Sequence, residues 1–426
     1  MKSKYVCQQC GYSQVGWAGK CPNCNSWGSL VETVVSTNSK LEKTTKPVNL
    51  SDIPSKATSR ISTKISELDR VLGGGLVQGQ VILVAGEPGI GKSTLLLQVA
   101  GTLGALYVSG EESVNQIKIR ADRLGIRNKN IQLLEETDID SVIQSFSDSV
   151  NKTPVIVVDS IQTMTTADLS GMAGSVGQVR ESAFRLVRLA KSRNIPIFIV
   201  GHVTKEGTVA GPAVLAHIVD SVLWFEGDKS LSLRLIRAVK NRFGPTDEVG
   251  IFTMEDKGLV SLEDPEKLFL SRTIKVAGSV TTSIMEGTRP ILVEVQSLVV
   301  PTKLAFPKRI AQGIDSRRFE LLLAVLQRRA GIPLYEYDAF VNVAGGITVR
   351  EPGADLAICL SVASSFFDKP VLKEIIAVGE VGLLGEVRAV SSLEKRIKEA
   401  KRLGFKIPVT YKQVQYVNQV IRKYVK

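Results

Sequence analysis

The chain has 426 residues, 44% of them hydrophobic and 23% charged, with a net charge of +12 and a pI near 9.4. This length exceeds what one core supports, so we expect two or three domains, and the surplus of positive charge predicts a polyanionic partner, nucleic acid ahead of an anionic membrane, unless it serves solubility alone. A membrane span and a signal peptide are both disfavoured, because the longest apolar run, at 291–300, contains Glu294 and the first residues lack an apolar segment, so we expect a cytoplasmic protein.

The first elements are two Cys-x-x-Cys pairs separated by ten residues: Cys7, Cys10, Cys21 and Cys24. Such pairs are typical of one tetrahedral Zn²⁺ held by four thiolates; a disulfide pair is the alternative, which reducing cytosol disfavours. Residues 1–34, here called the cysteine module, are too few for a core of their own. We therefore expect the metal to supply most of the folding free energy, on the order of 10–16 kcal/mol, and Trp17 and Trp27 to pack on the metal-binding turns. The pattern leaves open whether the module binds DNA, binds protein or braces the fold.

Residues 35–52 are polar and contain Pro47, which is typical of a flexible linker, and a second domain is predicted at 53–265. Here an apolar strand leads into the phosphate-loop pattern GxxxxGK[ST], formed by Gly86, Glu87, Pro88, Gly89, Ile90, Gly91, Lys92, Ser93 and Thr94. The glycines let backbone N–H groups surround an anion, and the following helix directs its positive end toward it. We predict a nucleoside triphosphate site in which Lys92 contacts the β- and γ-phosphates and Ser93 ligates Mg²⁺.

Three later strands end in polar residues that would meet at the same edge of a parallel sheet. ALYVSGEES ends in Glu111 and Glu112, either of which could activate the attacking water, with a solvated turn as the alternative. TPVIVVDS ends in Asp159, the Walker B pattern, which predicts that this carboxylate holds Mg²⁺ through its water shell. IPIFIVGHVTKEG contains His202, which could sense the γ-phosphate or act only as a structural hydrogen-bonding group.

The segment after Asp159 is rich in Gly, Ser and Thr and then becomes an amphipathic helix with five cations: Arg180, Arg185, Arg188, Lys191 and Arg193. A pliable loop before a basic helix could grip a nucleic-acid backbone, although a solvated surface would have the same pattern. Residues 233–254 are typical of a β-hairpin, which carries the pentapeptide KNRFG at 240–244. Strands that alternate with helices around a phosphate loop predict an α/β domain with a mostly parallel sheet and helices on both faces.

In this order, GEPGIGKST, YVSGEES, VVDS and GHVTKEG resemble the ATPase core of RecA-like proteins. With the four cysteines before it and KNRFG after it, the chain resembles the RadA/Sms family of bacterial DNA repair proteins over essentially its whole length. This resemblance implies an ATP-driven, nucleoid-associated hexameric ring that moves on single-stranded and branched DNA and promotes branch migration alongside the RecA recombinase. It also implies that Glu111, rather than Glu112, activates the water.

The resemblance assigns a role to the hairpin as well. RecA-like rings complete each ATP site with basic fingers from the neighbouring subunit, and the Lys-x-Arg of DnaB-type rings corresponds to Lys240 and Arg242 here. A guanidinium that reaches the γ-phosphate would stabilise charge that develops in the transition state. The alternative is that KNRFG only contacts the DNA backbone, so Lys240 and Arg242 are also candidate DNA-binding residues, together with Arg180.

The chain changes character from about Ser271, and the last predicted domain, 266–426, resembles the α+β proteolytic domain of Lon. That protease uses a Ser–Lys dyad, whose positions are occupied here by Ala354 and Glu394. Lys395 is one residue away, and a shift of one residue on a helix turns a side chain by about 100°. The resemblance therefore implies an inactive protease domain, reused as a scaffold for the ring and a basic platform for duplex DNA.

The leading hypothesis is a DNA-dependent ATPase that acts as a hexameric helicase in recombinational repair, with ATP, Mg²⁺ and Zn²⁺ as cofactors. A filament-forming strand-exchange protein, or a recombinase accessory protein without helicase activity, would share the ATPase core. An ATP-dependent protease is disfavoured by Ala354 and Glu394. A regulatory module that uses ATP only as a conformational ligand is the remaining alternative.

Overall fold

A computed structural model describes residues 2–8, 12–35, 49, 60–148, 153–202, 212–227, 233–262, 270, 276–304, 306–372 and 374–425. The chain divides into two compact units, Met1–Glu263 and Asp264–Lys426. Apart from Val35 and Asn49, the predicted linker at 35–52 lies outside the described residues. Among the described residues, no helix combines the length and the apolar character that crossing a membrane requires.

The cysteine module is a three-stranded antiparallel sheet in the order β2-β1-β3, whose strands are β1 Lys2–Cys7, β2 Ser13–Gln14 and β3 Leu30–Val35. Its buried cluster consists of Cys7, Cys21 and Leu30, with Tyr5 and Ala18 packed against them. So small an apolar cluster cannot offset the conformational entropy of some thirty ordered residues, which agrees with the expectation that a metal stabilises the module.

The rest of the first unit is built on a nine-stranded sheet, here called the large sheet. Its strands, in spatial order, are β12 Gly258–Ser261, β11 Val249–Glu255, β10 Leu233–Asn241, β9 Ser221–Glu226, β4 Val81–Gly86, β8 Ile197–His202, β7 Ile156–Asp159, β5 Ala105–Ser109 and β6 Ile131–Glu135. The six strands from β9 to β6 are parallel, whereas β10, β11 and β12 are antiparallel. The predicted parallel sheet and the predicted hairpin are both confirmed.

Helices cover both faces of the large sheet: α1 Ser66–Val71, α2 Lys92–Leu103, α3 Val114–Arg123, α4 Ile139–Asp148, α5 Val176–Arg193 and α6 Pro212–Ala216. The central strand β4 shows why two layers form, since all six of its residues are buried and successive side chains point to opposite faces. Ile82 and Val84 pack into the core with α1, α2 and α3, whereas Leu83 and Ala85 pack into the core with α4, α5 and α6.

The second unit has a mixed six-stranded sheet in the order β15 Arg309–Gln312, β16 Tyr337–Val343, β14 Arg289–Pro301, β13 Ser279–Glu286, β17 Ile375–Ala377 and β20 Ile407–Val409. A small pair, β18 Glu380–Val381 and β19 Val387–Arg388, lies beside it. The helices are α7 Ser316–Val325, which continues as the π-helical turn Leu326–Ala330, α8 Asp355–Phe366, α9 Leu393–Arg402 and α10 Val417–Tyr424. Helix α8 is almost wholly buried, so this unit has the predicted α+β architecture with its own core.

Candidate nucleotide site and metal centre

The predicted phosphate loop, Gly86–Thr94, joins the end of β4 to the first turn of α2. Gly91 caps the helix with a φ of 116°, and a Cβ there would lie 2.7 Å from Cε of Met254, so only glycine fits the turn. Glu87, Pro88 and Gly89 are exposed at the crest of the loop. The loop therefore combines a helix N-terminus, unobstructed backbone N–H groups and solvent access, as an anion site requires.

Lys92 is 3% exposed and donates hydrogen bonds from Nζ to the carbonyl oxygens of Gly86 and Glu87, both at 2.9 Å. Burial lowers the pKa of Lys92 to about 8, although the nearby carboxylates of Asp159 and Glu111 oppose the change. The ammonium is thus close to the two carboxylates that the sequence placed at the same site. Ser93, the predicted magnesium ligand, follows it in the first turn of α2.

Asp159 ends β7 and is 7% exposed. Its Oδ2 accepts a hydrogen bond of 2.6 Å from the hydroxyl of Tyr107, which lies in the adjacent strand β5. Burial and then Asp159 raise the pKa of Tyr107 well above its usual value, so the hydroxyl remains a donor that fixes the carboxylate. Sequence reasoning missed Tyr107. The feature that could have identified Tyr107 is the register of β5 against β7. Ser109 pairs with Asp159, and Tyr107 lies two residues before Ser109, so its side chain points to the same face of the sheet.

Glu111 and Glu112 follow β5 but have different surroundings. Oε1 of Glu111 accepts a hydrogen bond of 2.6 Å from the hydroxyl of Ser160 and lies 3.4 Å from Nε2 of His202. Glu112 instead forms an ion pair with Arg120. The structure therefore brings Glu111 together with Ser160 and His202, whereas the carboxylate of Glu112 is paired with Arg120.

His202 ends β8, where it pairs with Gly86 of the phosphate-loop strand. Burial and then the charge of Lys92 lower its pKa, so the imidazole is neutral near pH 7. Its Nδ1 is buried without a hydrogen-bond partner among the described residues, and the same holds for Oε1 of Gln162. Buried polar atoms without partners are rare, and a polar ligand that supplies the missing contacts fits this position. Gln162 and Ser160 were both missed, because neither residue type is a catalytic signal on its own.

Lys240 and Arg242 lie beside the first residues of the central strands β4 and β9, whereas the phosphate loop of the same chain follows the last residue of β4. Asn241 pairs with Ser221 at the start of β9, whereas Gly86 pairs with Phe225. The two sites are therefore separated by about four residues of strand, or roughly 13 Å. Within one chain, these two cations cannot reach a phosphate in the loop.

The two cations also differ in their freedom. Nζ of Lys240 donates hydrogen bonds to the carbonyl oxygens of Ala216, at 2.6 Å, and Val219, at 2.8 Å, and burial lowers its pKa. The side chain of Arg242 is 53% exposed, and its Nη1 lies 3.5 Å from Oδ1 of Asp220. Of this pair, Arg242 is the one that the fold presents to solvent.

Hydrogen bonds of Arg60 and Asn241 fix the turn that carries Arg242. Arg60 donates from Nη1 to the carbonyl oxygens of Leu72 and Gly75, both at 3.0 Å, and from Nη2 to that of Phe243. The side-chain oxygen of Asn241, which is 9% exposed, accepts from the backbone N–H of Phe243 at 3.2 Å. These contacts give the turn a fixed position on the sheet, and Arg60 and Asn241 were not singled out from the sequence.

Arg180, at the start of α5, contacts the cysteine module. Its Nη1 donates a hydrogen bond of 2.6 Å to Oε1 of Gln8, and its guanidinium lies 5.7 Å from the ring of Phe184. Ser170, in the loop before α5, donates to both carboxylate oxygens of Glu32 at 2.9 and 3.1 Å. The loop and helix predicted to face nucleic acid therefore adjoin the module.

Arg185 does not present a free cation. Its guanidinium contacts three carboxylates, those of Asp140, Asp168 and Glu181. Burial alone would lower the pKa of Arg185, but these hydrogen bonds outweigh it and raise the pKa. Of the five cations on this helix, Arg185 is thus neutralised within the chain, which the amphipathic pattern could not indicate.

Three of the four predicted metal ligands converge. The Sγ atoms of Cys7, Cys21 and Cys24 all lie within 4.8 Å of one another, and those of Cys7 and Cys24 are 3.5 Å apart. Thiolates around a tetrahedral Zn²⁺ at about 2.3 Å would be separated by roughly 3.8 Å, so the donor set fits a metal of this type. The fourth predicted ligand, Cys10, lies outside the described residues.

The expectation that Trp17 and Trp27 pack on the metal-binding turns is wrong. Their side chains are 67% and 77% exposed. Among the described residues of the module, the buried cluster consists of two cysteines and a leucine and includes neither indole ring.

Comparisons with known proteins show what this chain is similar to. The KaiC ATPase family matches residues 61–266, and the rubredoxin metal-binding domain family matches residues 5–32. The DNA repair protein RadA of Bacillus subtilis (strain 168) is 49% identical over 95% of this chain and 91% of its own length, and that of Aquifex aeolicus (strain VF5) is 48% identical over 95% and 92%. A crystal structure of the RadB recombinase aligns with 47% of this chain and 99% of its own, at 24% identity and a TM-score of 0.38.

Proposed function

The chain belongs to the RadA family of DNA repair proteins, with a RecA-like ATPase fold and an N-terminal metal-binding ribbon, and on that premise we propose that it is a hexameric ring helicase. In this proposal ATP hydrolysis drives movement on single-stranded DNA and promotes branch migration of recombination intermediates. The observation that carries the proposal is the position of Arg242, which is exposed at the edge of the sheet away from its own phosphate loop.

The residues around the phosphate loop have separate roles in ATP hydrolysis. Lys92 binds the β- and γ-phosphates, and Glu111 orients the attacking water and accepts its proton, because it alone of the two strand-end glutamates faces Ser160 and His202. Ser93 and Asp159 hold Mg²⁺, which neutralises charge on the phosphates when it is bound. His202 and Gln162 each have a buried polar atom without a hydrogen-bond partner among the described residues. In this proposal both side chains sense the γ-phosphate.

Arg242 completes the ATP site of the neighbouring subunit. Its own loop is roughly 13 Å away along the strands, so an ATP phosphate that Arg242 contacts would be bound by another chain. A heterologous interface that repeats around a closed ring places this edge of one subunit against the phosphate-loop edge of the next. Lys240, which is held by two carbonyl oxygens of its own chain, serves in this proposal to support the turn and to contact the DNA backbone.

DNA binding rests on the basic surface of the ring. Arg180 and Lys240 contact the strand, Arg242 would do so only in the alternative in which KNRFG serves DNA alone, and the net charge of +12 supports attraction to phosphates. The cysteine module holds Zn²⁺ through Cys7, Cys10, Cys21 and Cys24. We place the protein in the cytoplasm at the nucleoid, with the RecA recombinase as its partner.

The second unit is proposed to be a proteolytically inactive scaffold. Ala354, at the position of the nucleophile in the Lon-like pattern, is 0% exposed and has no hydroxyl that could attack a peptide. Glu394, at the position of the lysine, has a side chain that is 82% exposed and paired with Lys412 at 2.7 Å. Both features support a domain that retains the fold without the chemistry.

A subunit-mixing experiment tests the shared ATP site. Lys92→Ala removes the phosphate contact but keeps the finger, and Arg242→Ala does the reverse, so each variant alone should show no DNA-stimulated ATP hydrolysis. In an equal mixture, about one interface in four joins an intact loop to an intact finger, so activity should return to roughly a quarter of the wild-type value.

Two outcomes would contradict the proposal. If the Arg242→Ala variant alone hydrolysed ATP normally in the presence of single-stranded DNA, the finger would have no role. If wild-type protein hydrolysed ATP with DNA but failed to unwind a forked duplex, the alternative of a recombinase accessory protein without helicase activity would be favoured.

A further inference from the structure

Two indole rings form one exposed surface on the cysteine module. Trp17 and Trp27 are the most exposed aromatic side chains of the module, and both contact the same glycine. A Cβ on Gly19 would lie 3.6 Å from the Trp17 ring and 3.5 Å from the Trp27 ring, so the two rings adjoin a single point of the surface. Because the residue between them is a glycine, it places no side chain of its own between the rings.

The charge around these rings is positive. Nζ of Lys20 lies 6.0 Å from the centroid of the Trp27 ring. Among the described residues of the module, the sole carboxylate is Glu32, and Ser170 already donates to both of its oxygens. An anionic partner would therefore meet the ammonium of Lys20 beside the Trp27 ring.

The module is also attached to the segment that the sequence predicts to face nucleic acid. Gln8 accepts a hydrogen bond from Arg180, and Glu32 accepts from Ser170. Beside Arg180 lies Phe184, which is 38% exposed and forms a second pair of aromatic ring and cation. Two such pairs in one unit match the composition of surfaces that bind unpaired strands, in which aromatic rings stack on bases and cations follow the backbone.

We propose that Trp17 and Trp27 form a stacking platform for unpaired bases of single-stranded DNA, with Lys20 beside the adjacent phosphate. The partner must offer a flat π-face next to negative charge, and an unpaired nucleotide has both. The inference rests on the proposed action on single-stranded DNA, to which it adds a specific site on the metal-binding module.

The test uses the full-length, metal-loaded protein and a 30-nucleotide oligo(dT). Two of the three tryptophans are in the platform, and the third, Trp224, is a half-buried residue of β9. Stacking on the platform should therefore quench most of the exposed tryptophan emission. Because each stacked base contributes about 1–3 kcal/mol, removal of each ring should raise the Kd at least about five-fold.

Matched variants separate stacking from folding. Trp17→Ala with Trp27→Ala should weaken binding of oligo(dT), whereas Trp17→Phe with Trp27→Phe should restore most of the affinity because an aromatic face remains. Val15→Ala is the control on the same module, since Val15 is 80% exposed but not aromatic, and it should leave the Kd unchanged. Bound zinc, measured by release to a chelating dye, should equal the wild-type amount in every variant that is compared.

An abasic oligonucleotide of the same length completes the test, since it keeps the phosphates but has no bases to stack. It should bind wild-type protein and the double alanine variant equally and should not quench the emission. If the double alanine variant bound oligo(dT) as tightly as wild type, the platform would be refuted. This would hold even if the same variant lost affinity for a protein partner. If wild-type protein itself did not bind oligo(dT), the proposed function would fail first.

Discussion

Lys92 and Arg396 are both buried cations, one in each unit, and their surroundings differ in a way that separates a ligand site from a closed one. Lys92 lies near two carboxylates and near His202, whose Nδ1 has no hydrogen-bond partner among the described residues. Arg396 is 0% exposed, and its guanidinium donates to two backbone carbonyls and to both carboxylate oxygens of Glu351, at 2.7 and 2.6 Å.

The difference shows that a buried charge can either stabilise a fold or bind a ligand. An ion pair whose donor groups are satisfied favours one arrangement of the fold, and Arg396 forms such a pair beside Gly353, the residue before Ala354, where the Lon-like pattern would have its nucleophile. A buried cation whose pKa is lowered, among polar atoms that lack partners, instead gains stability when an anion arrives. The polar atoms around Lys92 therefore have contacts left for a ligand, whereas the guanidinium nitrogens of Arg396 are bonded within the second unit.

The largest effect is expected in the closed site. Arg396→Ala should destabilise the protein by about 3 kcal/mol, near the lower end of the cost of breaking a buried ion pair, because it removes a fully buried side chain while Glu351, whose side chain is 25% exposed, keeps a hydrogen bond from the N–H of Met285. Thermal unfolding of the second unit measures this loss. Lys395→Ala, which changes an exposed neighbour on the same helix, should stay within about 0.5 kcal/mol of wild type. Equal stabilities for the two variants would mean that the ion pair does not hold the fold.

In the ligand site, the two neighbouring glutamates provide the next test. Glu111→Gln should reduce DNA-stimulated ATP turnover by about 10²-fold or more, because an amide cannot accept the proton of the attacking water. Binding of a fluorescent ATP analogue should persist. Glu112→Gln should have little effect on turnover, since the carboxylate of Glu112 is already paired with Arg120. The reverse pattern would assign the water to Glu112.

The pKa of Lys92 predicts a smaller effect of pH. Above about pH 8 the empty site loses its ammonium proton and must regain it to bind an anion, so the KM for ATP should rise by up to about ten-fold per pH unit. The same lowered pKa means that the unfolded chain binds more protons between about 8 and 10.5, so the contribution of Lys92 to stability rises with pH across that window. A Lys92→Arg variant that still binds ATP should show a flat profile, and a flat profile in wild type would contradict the prediction.

The smallest effect is expected for Tyr107→Phe, which removes one hydroxyl and keeps the ring. Loss of one hydrogen bond to Asp159, about 1 kcal/mol, should raise the Mg²⁺ concentration for half-maximal activity about five-fold. Tyr335→Phe, at an exposed tyrosine of the second unit, is the control. A change in stability without a change in Mg²⁺ requirement would show that Tyr107 supports only the packing.

Local patterns were enough to predict the residues that lie within one segment. The phosphate loop is a contiguous stretch with a fixed spacing, and Asp159 ends an apolar run, so each could be recognised without knowledge of its neighbours. The parallel arrangement of the strands then follows from their alternation with helices, which places Glu111 and His202 at the same edge.

Residues that act across segments could not be found in this way. Tyr107 matters because of the register between two strands, and Arg60 because its guanidinium reaches Phe243, far away in sequence. Charge counted along a helix likewise did not show that Arg185 is neutralised by three carboxylates. The exposure of Trp27 depends on how little space the module's core offers, which composition does not reveal.

The length of strand β4 sets the distance between Arg242 and the phosphate loop of the same chain. The strand is six residues long, with Val81 at one end bonded to the carboxylate of Asp220, the partner of Arg242, and with the phosphate loop at the other end. Its side chains alternate between two separate cores, so the insertion or deletion of one residue would exchange the faces of every residue beyond it. The interval between finger and loop is therefore set by the count of residues in one strand, and identical copies of the chain carry the same interval.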